Sequence, residues 1–281
     1  MRIIGFNRIE LLLPAAEIGR AAEAFADLLG VRIDPPERLA QHHVLTATAW
    51  EAGLELIAPG DATSGLHRLL EGKGPGVIGP IVWQVEDLDP IRSHAESLGC
   101  QIAHELATPN GGRQISLARD DCYGYALSFI ERPPEPPPGP AARITRFDRV
   151  ELLLPAEDLD GARTFFATLL GIDIPPFEYM PEHHVRTTLC AQAGIELFGP
   201  GDDESALNAL LQVKGRRGAI GPIVWRVSDL ERMKAHALAL GHRVVYELSF
   251  GDRRQFCLGP DTLFGYMATF TQLVEAGARP L

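Results

Sequence analysis

The chain repeats itself. The segment FNRIELLLPA near the start returns as FDRVELLLPA in the middle, an offset of 141 residues from Arg8 to Arg149. The same offset carries His43 to His184, Glu55 to Glu196, Gln114 to Gln255 and Gly124 to Gly265. Between Pro80 and Glu105 it becomes 142, taking Pro80 to Pro222, Trp83 to Trp225 and Glu105 to Glu247. One insertion and one deletion account for this. They fall where KGPGVIGP becomes KGRRGAIGP and ELATPNGGRQ becomes ELSFGDRRQ. Both stretches read as loops, where a change of length costs little. A repeat of this size means one fold used twice. Between the halves lies ERPPEPPPGPAAR, whose prolines favour an extended spacer. The expected division is a first domain over 1–132, a linker over 133–143 and a second domain over 144–281.

Each half has the same pattern. RIELLLP alternates as a strand, with Ile9, Leu11 and Leu13 on one face. A helix follows with Ile18, Ala21, Ala22, Phe25, Leu28 and Leu29 in one stripe, closed by Gly30. Its counterpart uses Leu159, Ala162, Phe165, Leu169 and Leu170, closed by Gly171. Strands HHVLTAT and LELIAP come next, matched by HHVRTTL and IELFGP. IVWQV or IVWRV then leads into a second helix ending at Gly99 or Gly241. QIAHEL, RQISLA and GYALSFI complete the half as strands. Strands outnumber the helices needed for crossovers, so the class is α+β. Pro80 and Pro222 are expected at strand starts, where the missing N–H is harmless. Trp83 and Trp225 read as core, as do His94 and His236 beside their helix stripes.

Bulk properties narrow the function. The net charge of −11 disfavours a nucleic-acid backbone as partner. No apolar run reaches membrane-span length. The N-terminus lacks the segments of a secretory signal, so a cytoplasmic protein is expected. Cys100, Cys122, Cys190 and Cys257 show no CxxC spacing and no disulfide framework. Gly-rich stretches carry no phosphate-loop or dinucleotide fingerprint.

The order of elements resembles the vicinal oxygen chelate superfamily, which includes glyoxalase I, bleomycin-resistance proteins and extradiol dioxygenases. The residues that carry the resemblance are the opening strand with its following LLG, then LELIAP and IELFGP. GPIVWQVEDLD with SLG, and the closing GYALSFI and GYMATFT, add to it. The resemblance covers nearly the whole chain. It implies tandem βαβββ modules forming two domains of that type, each around a cup-shaped sheet. It also implies a divalent metal held by four strand positions. Here those positions fall on Arg8 and Arg149, Glu55 and Glu196, Pro80 and Pro222, and Ser128 and Thr269. A guanidinium has no lone pair to give, and proline has no side-chain donor. Ser and Thr hydroxyls are poor ligands for such metals. The usual metal site is therefore expected to be absent. A divalent ion on Glu55 with His43, or Glu196 with His184, stays open.

Alternation puts Arg8 and Glu10 on the cup face, with Glu55 beside them. A fixed cation then stands with two carboxylates where a dication would have been. Arg8 is expected to pair with one carboxylate, leaving the other beside a like charge, and that repulsion raises a carboxyl pKa. Such a set suits proton abstraction next to a carbonyl, with arginine steadying the oxyanion or gripping a substrate carboxylate. The catalytic candidates are Arg8, Glu10, His43 and Glu55, with Arg149, Glu151, His184 and Glu196 in the second half. Gln114, Ser128, Gln255 and Thr269 are candidate substrate contacts. The competing reading of the charged set is a structural ion network, and of the histidines a strand-edge hydrogen bond. The expected function is a small-molecule isomerase, epimerase or lyase on a carbonyl or aromatic compound. Alternatives are a sequestering protein of bleomycin-resistance type and a ring-cleaving dioxygenase. The expected partner is a small molecule, with a homodimer left open.

Overall fold

The computed structural model describes residues 3–73, 76–107, 111–133, 143–215 and 217–274. These residues form four βαβββ modules. The first runs β1 (Gly5–Leu12), α1 (Ile18–Leu29), β2 (Glu37–Leu39), β3 (Val44–Ala49) and β4 (Leu54–Pro59), then adds α2 (Leu66–Lys73). The second is β5 (Ile78–Val85), α3 (Leu88–Ser97), β6 (Ile102–Ala107), β7 (Arg113–Leu117) and β8 (Leu127–Glu131). The third is β9 (Ile144–Leu153), α4 (Leu159–Leu170), β10 (Glu178–Met180), β11 (Val185–Cys190) and β12 (Ile195–Pro200), followed by α5 (Leu207–Lys214). The fourth is β13 (Ala219–Val227), α6 (Leu230–Ala239), β14 (Val244–Phe250), β15 (Arg253–Leu258) and β16 (Ala268–Leu273).

The strands make two curled, eight-stranded half-barrel sheets. Their orders are β2-β3-β4-β1-β5-β8-β7-β6 and β10-β11-β12-β9-β13-β16-β15-β14. The architecture is α+β, with each sheet following one half of the repeat. Within a module the crossover helix makes β1–β4 and β5–β8 parallel, while the short connections make β3–β4 and β7–β8 antiparallel.

By packing, the chain divides into two compact units. One comprises Met1–Arg8, Pro80–Glu135 and Arg149–Gly221; the other comprises Ile9–Gly79, Pro136–Asp148 and Pro222–Leu281. Each unit therefore joins a module of the first half to a module of the second. Buried side-chain donors show why. Trp83 is fully buried, lies 5.9 Å from Phe129 between ring centroids, and donates Nε1–H to Ala193 O at 2.8 Å. Tyr125 donates its hydroxyl to Leu153 O at 2.8 Å or Ala219 O at 2.9 Å. In the other unit Trp225 donates to Ala52 O at 2.9 Å, and Tyr266 lies 2.7 Å from Leu12 O and 2.5 Å from Val77 O. Burial pushes the Tyr125 and Tyr266 hydroxyls far above their usual range, so they stay protonated as donors. Gly124, at φ +85, lets the backbone of Gly218 approach: a Cβ there would lie 2.5 Å from Gly218 N. Most of the proline-rich spacer, residues 134–142, lies outside the described residues.

The first helix buries the six residues that its periodicity predicts, and Gly30 closes it at φ 68. In α4 the buried aromatic is Phe166 rather than Phe165. Phe165 sits half-buried instead, edge-on to Tyr123 at 5.7 Å. Pro80 and Pro222 lie inside β5 and β13 rather than at their starts. The pairings to β8 and β16 begin one residue later, at Ile81 and Ile223, so the missing N–H interrupts neither ladder. His94 and His236 are half-buried and place Nε2 2.9 Å from Thr168 O and Asp27 O respectively.

Helices α2 and α5 are additional to the expected elements. Their signal is short but present in LHRLLEGK and LNALLQVK, with leucines at i, i+3 and i+4. Leu66, Leu69 and Leu70 pack on Leu12, Ile57 and Val77. Leu207, Leu210, Leu211 and Phe198 pack with Leu153 and Ala219. Among the described residues no helix is long and apolar enough to cross a membrane. All four cysteines are buried, and none is in a disulfide.

Candidate active site

Strand alternation builds the site. On β9, Val150 and Leu152 are fully buried on one face, and Arg149, Glu151 and Leu153 point to the other. The neighbouring β12 runs parallel in a register that sets Glu196 beside Glu151 and Phe198 beside Leu153. On its far side β11 is antiparallel, with Thr187 opposite Phe198. Side chains of registered partners share a face. Arg149, Glu151, Glu196 and Thr187 therefore converge.

The Arg149 side chain is 2% exposed. Its Nη2 donates to Glu151 Oε1 at 3.1 Å, and its Nε donates to Glu196 Oε2. Thr187 Oγ1 donates to Glu196 Oε1 at 2.5 Å. A single guanidinium thus holds both carboxylates by two of its donors. The expectation that one carboxylate stands unpaired beside its neighbour is corrected here. The fork of fixed N–H directions on arginine makes this double pairing geometrically cheap. Room for it comes from Gly221: a Cβ there would lie 3.1 Å from Glu151 Cβ and 2.9 Å from Phe198 Cζ.

The first half shows the same parts. Arg8 and Glu10 are buried, and Glu10 stands in register beside Glu55 on β4. Thr46 donates to an oxygen of Glu55. Arg8 Nη2 donates to Gln114 Oε1 at 3.0 Å, and its Nη1 donates to Asn7 Oδ1 at 2.8 Å. Gln114 is 5% exposed, which removes the surface reading of that residue. Gln255 is equally buried. Ser128 is fully buried, its Oγ 2.6 Å from Ser116 Oγ. Thr269 is also fully buried, its Oγ1 3.4 Å from Tyr246 OH.

The histidines sit elsewhere. His43 and His184 precede their strands, in the left-handed region at φ 56 and 54, rather than within them. His43 Nδ1 is 2.9 Å from Asp61 Oδ2, and His184 Nδ1 is 2.9 Å from Asp202 Oδ2. Both side chains are more than a third exposed. His42 and His183 are exposed or half-buried at the same turns. The 141-residue offset also joins Asp61 to Asp202 and Thr46 to Thr187, a signal that would have found these partners. The hydrogen bond to Asp202 raises the pKa of His184 above its ordinary value. A folded pKa raised in this way gives a contribution present below the unfolded pKa and lost as pH rises through the folded one. Asp202→Asn is expected to lower the His184 titration midpoint measured by NMR. An unmoved midpoint would detach the pair.

Solved structures share this architecture. A mutant of 4-hydroxymandelate synthase from Streptomyces coelicolor superposes with a TM-score of 0.74 at 15% identity, over 99% of this chain and 94% of that one. The Mn(II)-bound glyoxalase from Novosphingobium aromaticivorans gives 0.68 at 15% identity, over 98% and 83%. A xylose isomerase-like TIM barrel/4-hydroxyphenylpyruvate dioxygenase fusion protein gives 0.67 at 16%, over 99% of this chain and 50% of that one. The chain has the vicinal oxygen chelate fold. No protein-family model matches the chain, and no curated protein does.

In a vicinal oxygen chelate fold the metal would take the four positions named from the resemblance. The donor set here does not fit it. Arg149 occupies the first position and donates to the glutamate at the second. Pro222 offers no side-chain donor at the third, and the fourth is the enclosed hydroxyl of Thr269. His184 lies outside the strands, at the turn before β11, with Nδ1 2.9 Å from Asp202 Oδ2. Among the described residues no group of three or more His, Cys, Asp or Glu is placed to hold a metal ion.

Proposed function

We propose that the protein is a small-molecule enzyme of the vicinal oxygen chelate fold that works by carboxylate acid–base chemistry without a divalent metal. One observation carries this reading: the Arg149 guanidinium, at the first ligand position, is salt-bridged to both Glu151 and Glu196. Engaged on two sides and almost fully enclosed, Arg149 holds the carboxylates instead of gripping a substrate carboxylate. The glutamate side chains are the more exposed members, at 10% and 16%. A carboxylate oxygen takes a proton from the carbon next to a substrate carbonyl. The C–H bond breaks, an O–H bond forms on the glutamate, and the electron pair moves into the enolate. Return of the proton to either face of that carbon, or to a neighbouring one, gives epimerisation or isomerisation; loss of a β-substituent gives elimination. Glu10 and Glu55 would form the corresponding carboxylate pair in the first half, while His43 and His184 stand apart from both pairs at the turns before β3 and β11. Gln114, Ser128, Gln255 and Thr269 would shape the surroundings of the substrate.

Solvent-deuterium wash-in tests the proposal. A panel of small carbonyl and aryl-carbonyl compounds is incubated with the protein in D2O and followed by proton NMR. Exchange next to the carbonyl is expected, insensitive to EDTA. Glu151→Gln and Glu196→Gln are each expected to slow it about 100-fold or more. Exchange that dies with chelator and returns with Mn2+ would overturn the metal-free reading. Tight binding with no exchange would favour sequestration.

A further inference from the structure

We infer that Thr46 and Thr187 are positioning residues, whose hydroxyls fix the orientation of the Glu55 and Glu196 carboxylates. The same contact appears twice, in two compact units, at residues 141 apart: Thr46 to Glu55 and Thr187 to Glu196. Register makes it possible. Thr187 faces Phe198 across the β11–β12 ladder, one side-chain step along the same face from Glu196. Thr46 has the same place opposite Ile57.

A threonine hydroxyl has one proton to give. Thr187 Oγ1 is 2.5 Å from Glu196 Oε1 and 3.4 Å from Leu197 O, so the proton goes to the carboxylate. Arg149 Nε takes the other oxygen, Oε2. The terminal torsion of glutamate is broad and weakly preferred on its own. One donor on each oxygen removes that freedom. The carboxylate plane is then set, and with it the guanidinium that reaches on to Glu151. Thr187 acts on the acid–base pair only through Glu196 and Arg149.

The test separates hydrogen bonding from space filling. Thr187→Val keeps the shape and loses the donor; Thr187→Ser keeps the donor and loses a methyl. The primary readout is the Arg149 Nε–H resonance, assigned by its loss in Arg149→Lys, and its rate of exchange with solvent. Thr187→Val is expected to speed that exchange about tenfold, and Thr187→Ser to stay within about threefold of the parent. Thr187→Ala, a second variant without a donor, should follow valine. A packing role predicts the opposite order, with valine normal and serine disturbed, and that result would overturn the inference. The functional consequence rests on the acid–base reading above: in the deuterium assay Thr187→Val should lower kcat about tenfold at unchanged KM, with serine restoring it. Should the resonance follow the predicted order while the parent protein exchanges nothing, the acid–base reading fails and the positioning role stands. Turnover with valine equal to the parent in both readouts removes the positioning role alone.

Discussion

Arg149→Leu is expected to cost about 3–5 kcal/mol of folding stability at neutral pH. The side chain is 2% exposed and supplies the cation for two carboxylates that are themselves 10% and 16% exposed. Leucine fills much of the volume but leaves both glutamates charged, close together and poorly hydrated. The cost should depend on pH. Unpaired carboxylates oppose folding only while ionised, so protonating them relieves the strain. The gap between parent and variant should therefore narrow from pH 7 to pH 4. Arg149→Lys should recover only part of the loss, because an ammonium lacks the fork that serves Glu151 and Glu196 together. Replacing Glu151 and Glu196 with leucine in the Arg149→Leu background should regain most of it, since an apolar cluster has no charges to desolvate. Urea unfolding at the two pH values measures all of these. A loss below about 1 kcal/mol for Arg149→Leu, or one independent of pH, would mean that the cluster is hydrated rather than buried.

Trp83→Ala should cost a similar amount, about 3–5 kcal/mol. The ring is fully buried against Phe129, and its N–H satisfies the Ala193 carbonyl. Alanine opens a cavity and orphans that acceptor. Trp83→Phe keeps an aromatic ring but still loses the donor, so a smaller cost of about 1–3 kcal/mol is expected. The bond spans 110 residues and ties the second module to the third within one compact unit. Its loss should therefore lower the unfolding midpoint of both halves together. Separate transitions, with the second half unaffected, would show that each half is held by its own contacts. The same experiment tests the proposed division into domains over 1–132 and 144–281.

Much of the fold was legible in the residues, for reasons that are local. Ile9 and Leu11 against Arg8 and Glu10 announce a strand with two faces, because alternation is a property of the extended backbone. The α1 stripe was readable to the residue, since six apolar positions fit a 3.6-residue period. Phe165 and Phe166 were not separable this way: neighbours lie 100° apart on a helix, and packing chose between them. Helices α2 and α5 stay hidden in the sequence because eight residues give too few turns for a period to stand out.

The duplication, the α+β modules and the meeting of an arginine with two glutamates on one face were set by the order of residues alone. Tertiary structure decided the rest. It let Arg149 serve both carboxylates, gave Glu55 and Glu196 each a threonine from the next strand, and turned His43 and His184 toward aspartates outside the strands. It also drew each compact unit from both halves. Which face a side chain takes follows from its own backbone, but which donor reaches a given acceptor depends on the register and packing of segments far apart in the chain.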